Sequence, residues 1–171
     1  GRRRGFQPPL CGGGEQRHLT KEREGNASMK IVVGSDHGGF ELKEQLKERL
    51  LKEGHQVEDA GCYDARPVDY PDVAVKLAGV VNSGAVDFGL LCCGTGIGIS
   101  IAANKVKGIR AALCTDCYSA RMAKEHNDAN VIAFGGRTVG VEHAWAMVQA
   151  YMGARHLGGV HAERVAKIDA I

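Results

Sequence analysis

"LLCCGTGIGISIAANK", residues 90–105, is the stretch on which the fold turns. An unbroken apolar run closes in two cysteines, glycines follow at positions 94, 96 and 98, and an Ile/Ala-rich segment of helical composition comes next. A strand without polar alternation is buried on both faces, which is the environment of a parallel sheet covered by helices. The glycines follow G-x-G-x-G spacing. A dinucleotide fingerprint needs G-x-G-x-x-G, but Ile99 stands where its third glycine would be, and the G-K-[ST] ending of a P-loop is missing too. Two readings of the loop remain. It is a tight turn, or it is an anion cradle in which the backbone approaches a ligand and a helix beginning near Gly96 aims free N–H groups at negative charge.

Working outward, the chain repeats the same strand–loop–helix unit. KIVVG, from Lys30, is a buried strand, followed by FELKEQLKERLLKEG with Leu42, Leu46 and Leu50 on one stripe and a stop at Gly54. QVEDAG is a short strand, and PDVAVKLAGVVNSG opens a helix at Pro71 and closes at Gly84. DFGLLCC and the helix GISIAANKV form the third unit, RAALC and YSARMAKEHN the fourth. NVIAFGG is the fifth strand, with Val141, Ala144, Trp145, Val148 and Met152 striping the helix after it; HAERVAKIDAI is an additional C-terminal helix. Five such units predict an α/β fold, a three-layer α/β/α sandwich around a five-stranded parallel Rossmann-like sheet with right-handed crossovers. Ligands of such sheets bind beyond the carboxyl ends of the strands. The loops to inspect are therefore SDHGG, CCGTGIG, CTDC and FGGR.

Composition narrows the function classes. The chain has 171 residues, 44% hydrophobic and 25% charged, enough for one domain with one good core. Residues 1–28 hold six Lys/Arg against three Asp/Glu, so of the chain's 22 and 20 the remaining 143 residues keep 16 and 17, a net of −1. A near-neutral body argues against a nucleic-acid surface, and no apolar run approaches the roughly 20 residues of a membrane helix. Residues 1–28 read as a disordered leader or as upstream sequence carried ahead of Met29; Glu15, Glu22 and Glu24 speak against a transit peptide. The folded domain is expected over 29–171. Six scattered cysteines without a secretory signal predict reduced thiols in a cytoplasmic protein. No four-ligand zinc set can be assembled, and no metal is expected.

Several side chains carry chemistry. Alternation along the third strand turns Cys92 into a sheet–helix layer and leaves Cys93, its last residue, facing the crevice. There a thiolate near a helix N-terminus is a usable base. Asp36 and His37 follow the first strand, where an aspartate can equally be a capping group. His126 and Asn127 lie at a helix end, where a histidine can equally be a dipole partner. Cys114 and Cys117 have C-x-x-C spacing, but Cys114 sits inside an apolar run and is expected to be buried rather than redox-active.

Taken together, GSDHGGFELKEQL, DYPDVA, CGTGIGISIAANKVKGIRAALC, YSARMAKEHNDANVIAFGGR and GGVHAERV resemble the ribose-5-phosphate isomerase B family, from Met29 to Ile171. That group includes galactose- and allose-6-phosphate isomerases. The resemblance implies an aldose–ketose isomerase acting through an enediolate in carbohydrate metabolism, with no metal or nucleotide cofactor. It also implies a homodimer, with a dimer of dimers as the further assembly, and active sites built from both subunits. Cys93 matches the proton-abstracting residue and His126 the ring-opening acid. Asp36, His37, Asn127 and the loop Gly94, Thr95, Gly96, Ile97 and Gly98 match the sugar and oxyanion contacts. Arg137, His161 and Arg164 match the phosphate contacts. One departure stands out: Val160 occupies the place, just ahead of His161, where an arginine is common in the family. Position 97, acidic in some relatives, is Ile97, which favours Cys93 as the base. The competing reading from another class is a non-catalytic or redox anion-binding module.

Overall fold

The five apolar runs pair as one parallel sheet in the computed structural model, which describes residues 27–171. The strands are β1 (Lys30–Ser35), β2 (Gln56–Asp59), β3 (Phe88–Cys93), β4 (Ala111–Leu113) and β5 (Val131–Gly135). Their spatial order is β2-β1-β3-β5-β4, so the winding reverses between β1 and β3. The helices are α1 (Phe40–Lys52), α2 (Tyr70–Asn82), α3 (Ile97–Asn104), α4 (Cys117–Glu125), α5 (Val141–Met152) and α6 (Val160–Asp169). Among the described residues no helix is long and apolar enough to cross a membrane. Of the stretch read as a leader, residues 1–26 lie outside the description. Ser28 already belongs to the fold, its hydroxyl donating to the Gly54 carbonyl at 2.9 Å.

Alternation along the central strands sends their side chains into two cores. On one face Ile31, Val33, Leu90, Cys92, Ile132 and Phe134 meet α1, α4 and α5; on the other Val32, Leu91, Cys93, Val131 and Ala133 meet α2 and α3. Each fully buried aliphatic side chain contributes about 1.5–3 kcal/mol, and this two-sided burial explains why β1, β3 and β5 carry no polar alternation. The edge strands differ from the sequence expectation. β4 is three residues long and only partly buried, with Leu113 37% exposed, because a strand paired on one side has one flank open. The α5 stripe is wider than expected: Met147 and Tyr151 are buried, while Val141 and Trp145 are only partly so, because α5 packs against both α1 and α4.

One charged side chain of α1 is not on its solvent face. Lys43 is completely buried, and its ammonium donates to both Asp59 oxygens at 2.9 Å and to the Cys62 carbonyl. Asp59 also accepts from Lys47 at 2.7 Å and from the Gly61 N–H at 3.0 Å. A buried cation is tolerable only when paired and bonded in this way. The cluster fastens the segment after β2 to the first turns of α1, beside the carboxyl ends of the strands.

Candidate active site

Three loops meet where the winding reverses, and backbone contacts bind them together. The Asp36 N–H donates to the Cys92 carbonyl at 3.2 Å, the Gly136 N–H to the Cys93 carbonyl at 2.8 Å, and the Arg137 N–H to the Gly94 carbonyl at 3.0 Å. The approach is so close that a Cβ on Gly39 would lie 2.6 Å from the Cys93 nitrogen. The glycines of SDHGG are there because one backbone rests on another.

Cys93 is 4% exposed, and its Sγ accepts the Gly96 N–H at 3.0 Å. An amide aimed at sulfur serves a thiolate better than a thiol. Gly96, the N-cap of α3, has φ 77°, the left-handed region, and a Cβ there would lie 2.8 Å from the Phe134 carbonyl carbon. The glycine loop is thus both the turn and the cradle: left-handed geometry at position 96 is what points its N–H back at Cys93. Cys92 faces the opposite core, fully buried, and burial followed by the neighbouring Cys93 drives its thiol far above the ordinary range.

Around this centre stand the other expected groups of the strand ends. Asp36 is 8% exposed and its Oδ1 accepts the Gly39 N–H at 3.0 Å, so part of its role is to close the turn before α1. His37 and Thr95 are exposed at the mouth, and the Thr95 hydroxyl accepts the Ile97 N–H at 3.3 Å. The Arg137 guanidinium lies over Gly94, 3.4 Å from where a Cβ would stand. Arg49, Arg66, Arg110 and Arg121 all hold carboxylates. Arg137, Arg155 and Arg164 have no carboxylate partner among the described residues; of these, Arg137 and Arg164 are the two forks expected to meet an anion. Tyr70 was not anticipated. Its ring packs on Gly98, within 2.8 Å of a Cβ placed there, and walls the loop on the α2 side. DYP marked a helix start, but nothing local could place that phenol against a loop 28 residues later.

The remaining expected residues gather elsewhere. α4 leaves the carboxyl end of β4, runs nine residues and about 13 Å, and delivers His126 and Asn127 to the opposite edge of the sheet. Four residues on, the Asn130 N–H donates to the Arg110 carbonyl at 3.1 Å and its carbonyl accepts the Gly89 N–H at 2.9 Å, at the amino ends of β5 and β3. There the His126 and His161 rings stack at 4.1 Å and 6°. Desolvation, then His126, Arg164 and His156, hold His161 below the ordinary histidine range. The fold therefore separates the candidate residues into two groups. Asp36, His37, Cys93, the loop 94–98 and Arg137 occupy one edge; His126, Asn127, His161 and Arg164 occupy the other.

The C-x-x-C pair has the wrong surroundings for redox work. Burial, then the charge of Asp116, pushes the Cys114 thiol up to about 12, so little thiolate forms at neutral pH. All five cysteines among the described residues are free thiols.

Known proteins share this arrangement over most of the chain. The profile of the Ribose/Galactose Isomerase family matches residues 31–168. A protein of Escherichia coli (strain K12) named ribose-5-phosphate isomerase B is 49% identical over 142 residues, 83% of this chain and 95% of that one. The structure of ribose-5-phosphate isomerase B from Clostridium thermocellum superposes with a TM-score of 0.82 at 53% identity, covering 83% of this chain and 96% of that one. That from Thermotoga maritima gives 0.82 at 48%, covering 84% and 99%. With a match that runs from β1 into α6 and covers both groups of candidate residues, the chain belongs to the ribose/galactose isomerase family of sugar-phosphate isomerases.

Proposed function

We propose that the chain interconverts ribose 5-phosphate and ribulose 5-phosphate, in sites that each take one half from either copy of a homodimer. The observation that carries this reading is the Cys93 thiol held by the Gly96 amide, beside an unpaired Arg137. In the aldose-to-ketose direction Cys93 removes the C2 proton and returns it to C1. The negative charge that develops on the carbonyl oxygen meets the N–H groups of the 94–98 loop, where each well-placed donor is worth about 10²–10³ in rate. Asp36 moves the proton between O1 and O2, and His37 and Asn127 hold sugar hydroxyls. His126 protonates the ring oxygen to open the furanose, and Arg137, Arg164 and His161 hold the phosphate.

Within one chain the base and the acid lie at opposite edges of the sheet, so proton abstraction and ring opening meet only if a second copy supplies His126. An apolar rim beside Cys93 supports such a contact. Ile97 and Ile101, one helical turn apart on α3, are 51% and 56% exposed, and the 37% exposed Leu113 packs against Gly96 at the head of the same helix. Steady-state turnover of ribose 5-phosphate, allose 6-phosphate and galactose 6-phosphate, using protein freed of host isomerase, tests the assignment. The expected result is the highest kcat/KM with ribose 5-phosphate. Preference for a hexose 6-phosphate replaces the substrate, and turnover of none removes the reading.

A further inference from the structure

The connection between α5 and α6, residues 153–159, folds back onto the last turn of α4. A carbonyl at a helix C-terminus lacks an intrahelical donor, and that of Glu125 receives two from this connection. The Leu157 N–H approaches it at 3.0 Å, and His156 Nδ1 lies 3.0 Å away. A carbonyl oxygen brings no proton, so Nδ1 of His156 must carry it. His126 is the next residue along the chain, and its ring stacks on His161. His161 in turn is tied to the same connection through its N–H, which donates to the Gly158 carbonyl at 3.1 Å. The backbone behind His126 and the ring in front of it are thus gripped from one short segment.

The charges around His156 leave this bond undisturbed. The Glu125 carboxylate is engaged by Arg121 at 2.6 Å, and Asp128 by Lys124 at 2.6 Å and Arg110 at 3.5 Å. Arg155 adjoins it on the connection, and His161 lies near it on α6, with Arg164 in turn beside His161. With both nearby carboxylates engaged by basic partners, the His156 Nδ1–H donates its hydrogen bond to a single acceptor, the helix-end carbonyl.

We propose that His156 is a positioning residue for His126, its Nδ1–H bond fixing the helix end from which His126 presents its ring to the substrate. The inference rests on the reading of His126 as the ring-opening acid. Two substitutions separate it from a purely structural latch. His156→Phe keeps a ring and removes the donor; His156→Asn keeps an N–H donor at the same number of bonds from the backbone. Loss of one such hydrogen bond should lower kcat about 3- to 10-fold in His156→Phe with KM changed less than about twofold, while His156→Asn recovers to within about twofold of the parent. In imidazole nitrogen NMR of the full chain, His156 should show the Nδ1–H tautomer, and His156→Phe should displace the His126 signals and their titration. A latch without a catalytic role would lower the melting temperature in His156→Phe but leave kcat, the pH–rate profile and the His126 signals as they were, and that outcome overturns the proposal. So does an Nε2–H tautomer at His156. If the parent turns over no sugar phosphate, the functional reading fails on its own, and the His126 signals in His156→Phe then decide between positioning and latch.

Discussion

Mixing two dead variants tests the divided site more sharply than any single substitution. Cys93 closes β3 at the carboxyl edge of the sheet, and α4 carries His126 about 13 Å toward the amino edge. In the proposed dimer each working site needs Cys93 from one copy and His126 from the other. Cys93→Ala lacks the base in both sites of a dimer, and His126→Ala lacks the acid in both. Dissociating and reassociating an equal mixture gives hybrids as about half of all dimers, and each hybrid holds one site with both groups intact and one with neither. The mixture should therefore regain about one quarter of the parental kcat per site, against residual rates lowered about 10²–10⁴-fold in each variant alone. The assay is ribulose 5-phosphate formation as the mixing ratio is varied, with exchange followed by native mass spectrometry of one isotope-labelled partner. Recovery should peak at equal proportions. Proven hybrids that remain as inactive as their parents would refute the shared site, since the intact pair would be present and idle.

Cys93→Ala should cost about 10²–10⁴ in kcat, whereas Cys92→Ala, a change inside the other core, should act on the melting temperature and leave kcat nearly intact. Equal mild losses in both, measured by the same steady-state assay, would remove Cys93 as the base. Arg137→Ala or Arg164→Ala should raise KM roughly 10- to 150-fold, the equivalent of about 1.5–3 kcal/mol for a charged hydrogen bond. Val160 is 52% exposed at the start of α6, so Val160→Arg has room to reach toward the phosphate and should lower KM. Lys43→Met leaves Asp59 with Lys47 and the Gly61 N–H, so it should lower stability in urea unfolding by less than the about 3–5 kcal/mol of a buried charge left wholly unpaired. For Asp59, burial pushes the carboxyl upward, but bonds from Lys47, Lys43 and Gly61 outweigh it and hold it below the usual range. Its folded pKa lies under the unfolded value of about 3.9, so its contribution is complete above that pH and disappears as pH falls through the folded value. Melting temperature should accordingly drop more steeply below about pH 4 in the parent than in Asp59→Asn.

The parts of this molecule that were legible in the sequence are those where local pattern and global packing demand the same residues. β1, β3 and β5 are uninterrupted apolar runs because each is flanked by strands and covered by helices, and each leads into a glycine-bearing loop (Gly38 and Gly39, Gly94, Gly136) because loops are stacked on loops there. That Cys92 and Cys93 enter opposite layers followed from alternation alone, since adjacent residues of a strand cannot enter the same layer. What escaped the pattern depended on contacts between segments far apart in the chain. Lys43 sits among the charges of an amphipathic helix and differs from Lys47, which also pairs with Asp59, in being fully buried and in donating to the Cys62 carbonyl. Tyr70 and Gly98 are unrelated in sequence and touching in space.

The two separated groups of candidate residues show why a residue list is still an incomplete site. In a parallel sheet every crossover helix begins at the carboxyl edge and ends at the amino edge. A residue at a strand's end and one at a helix's end are therefore kept apart by the architecture that makes both predictable. Cys93 is of the first kind and His126 of the second. No rotamer or loop adjustment closes a gap set by the length of α4, so chemistry that needs both groups selects an assembly that lays the carboxyl edge of one sheet against the amino edge of another. Under a twofold axis one such contact forms twice, which gives two sites for one interface and puts Ile97 and Ile101 beside both. A substitution at either isoleucine, far from any reacting atom in its own chain, should then weaken the dimer and the turnover together; Ile101→Lys that dissociates the dimer yet keeps full turnover per chain would contradict this.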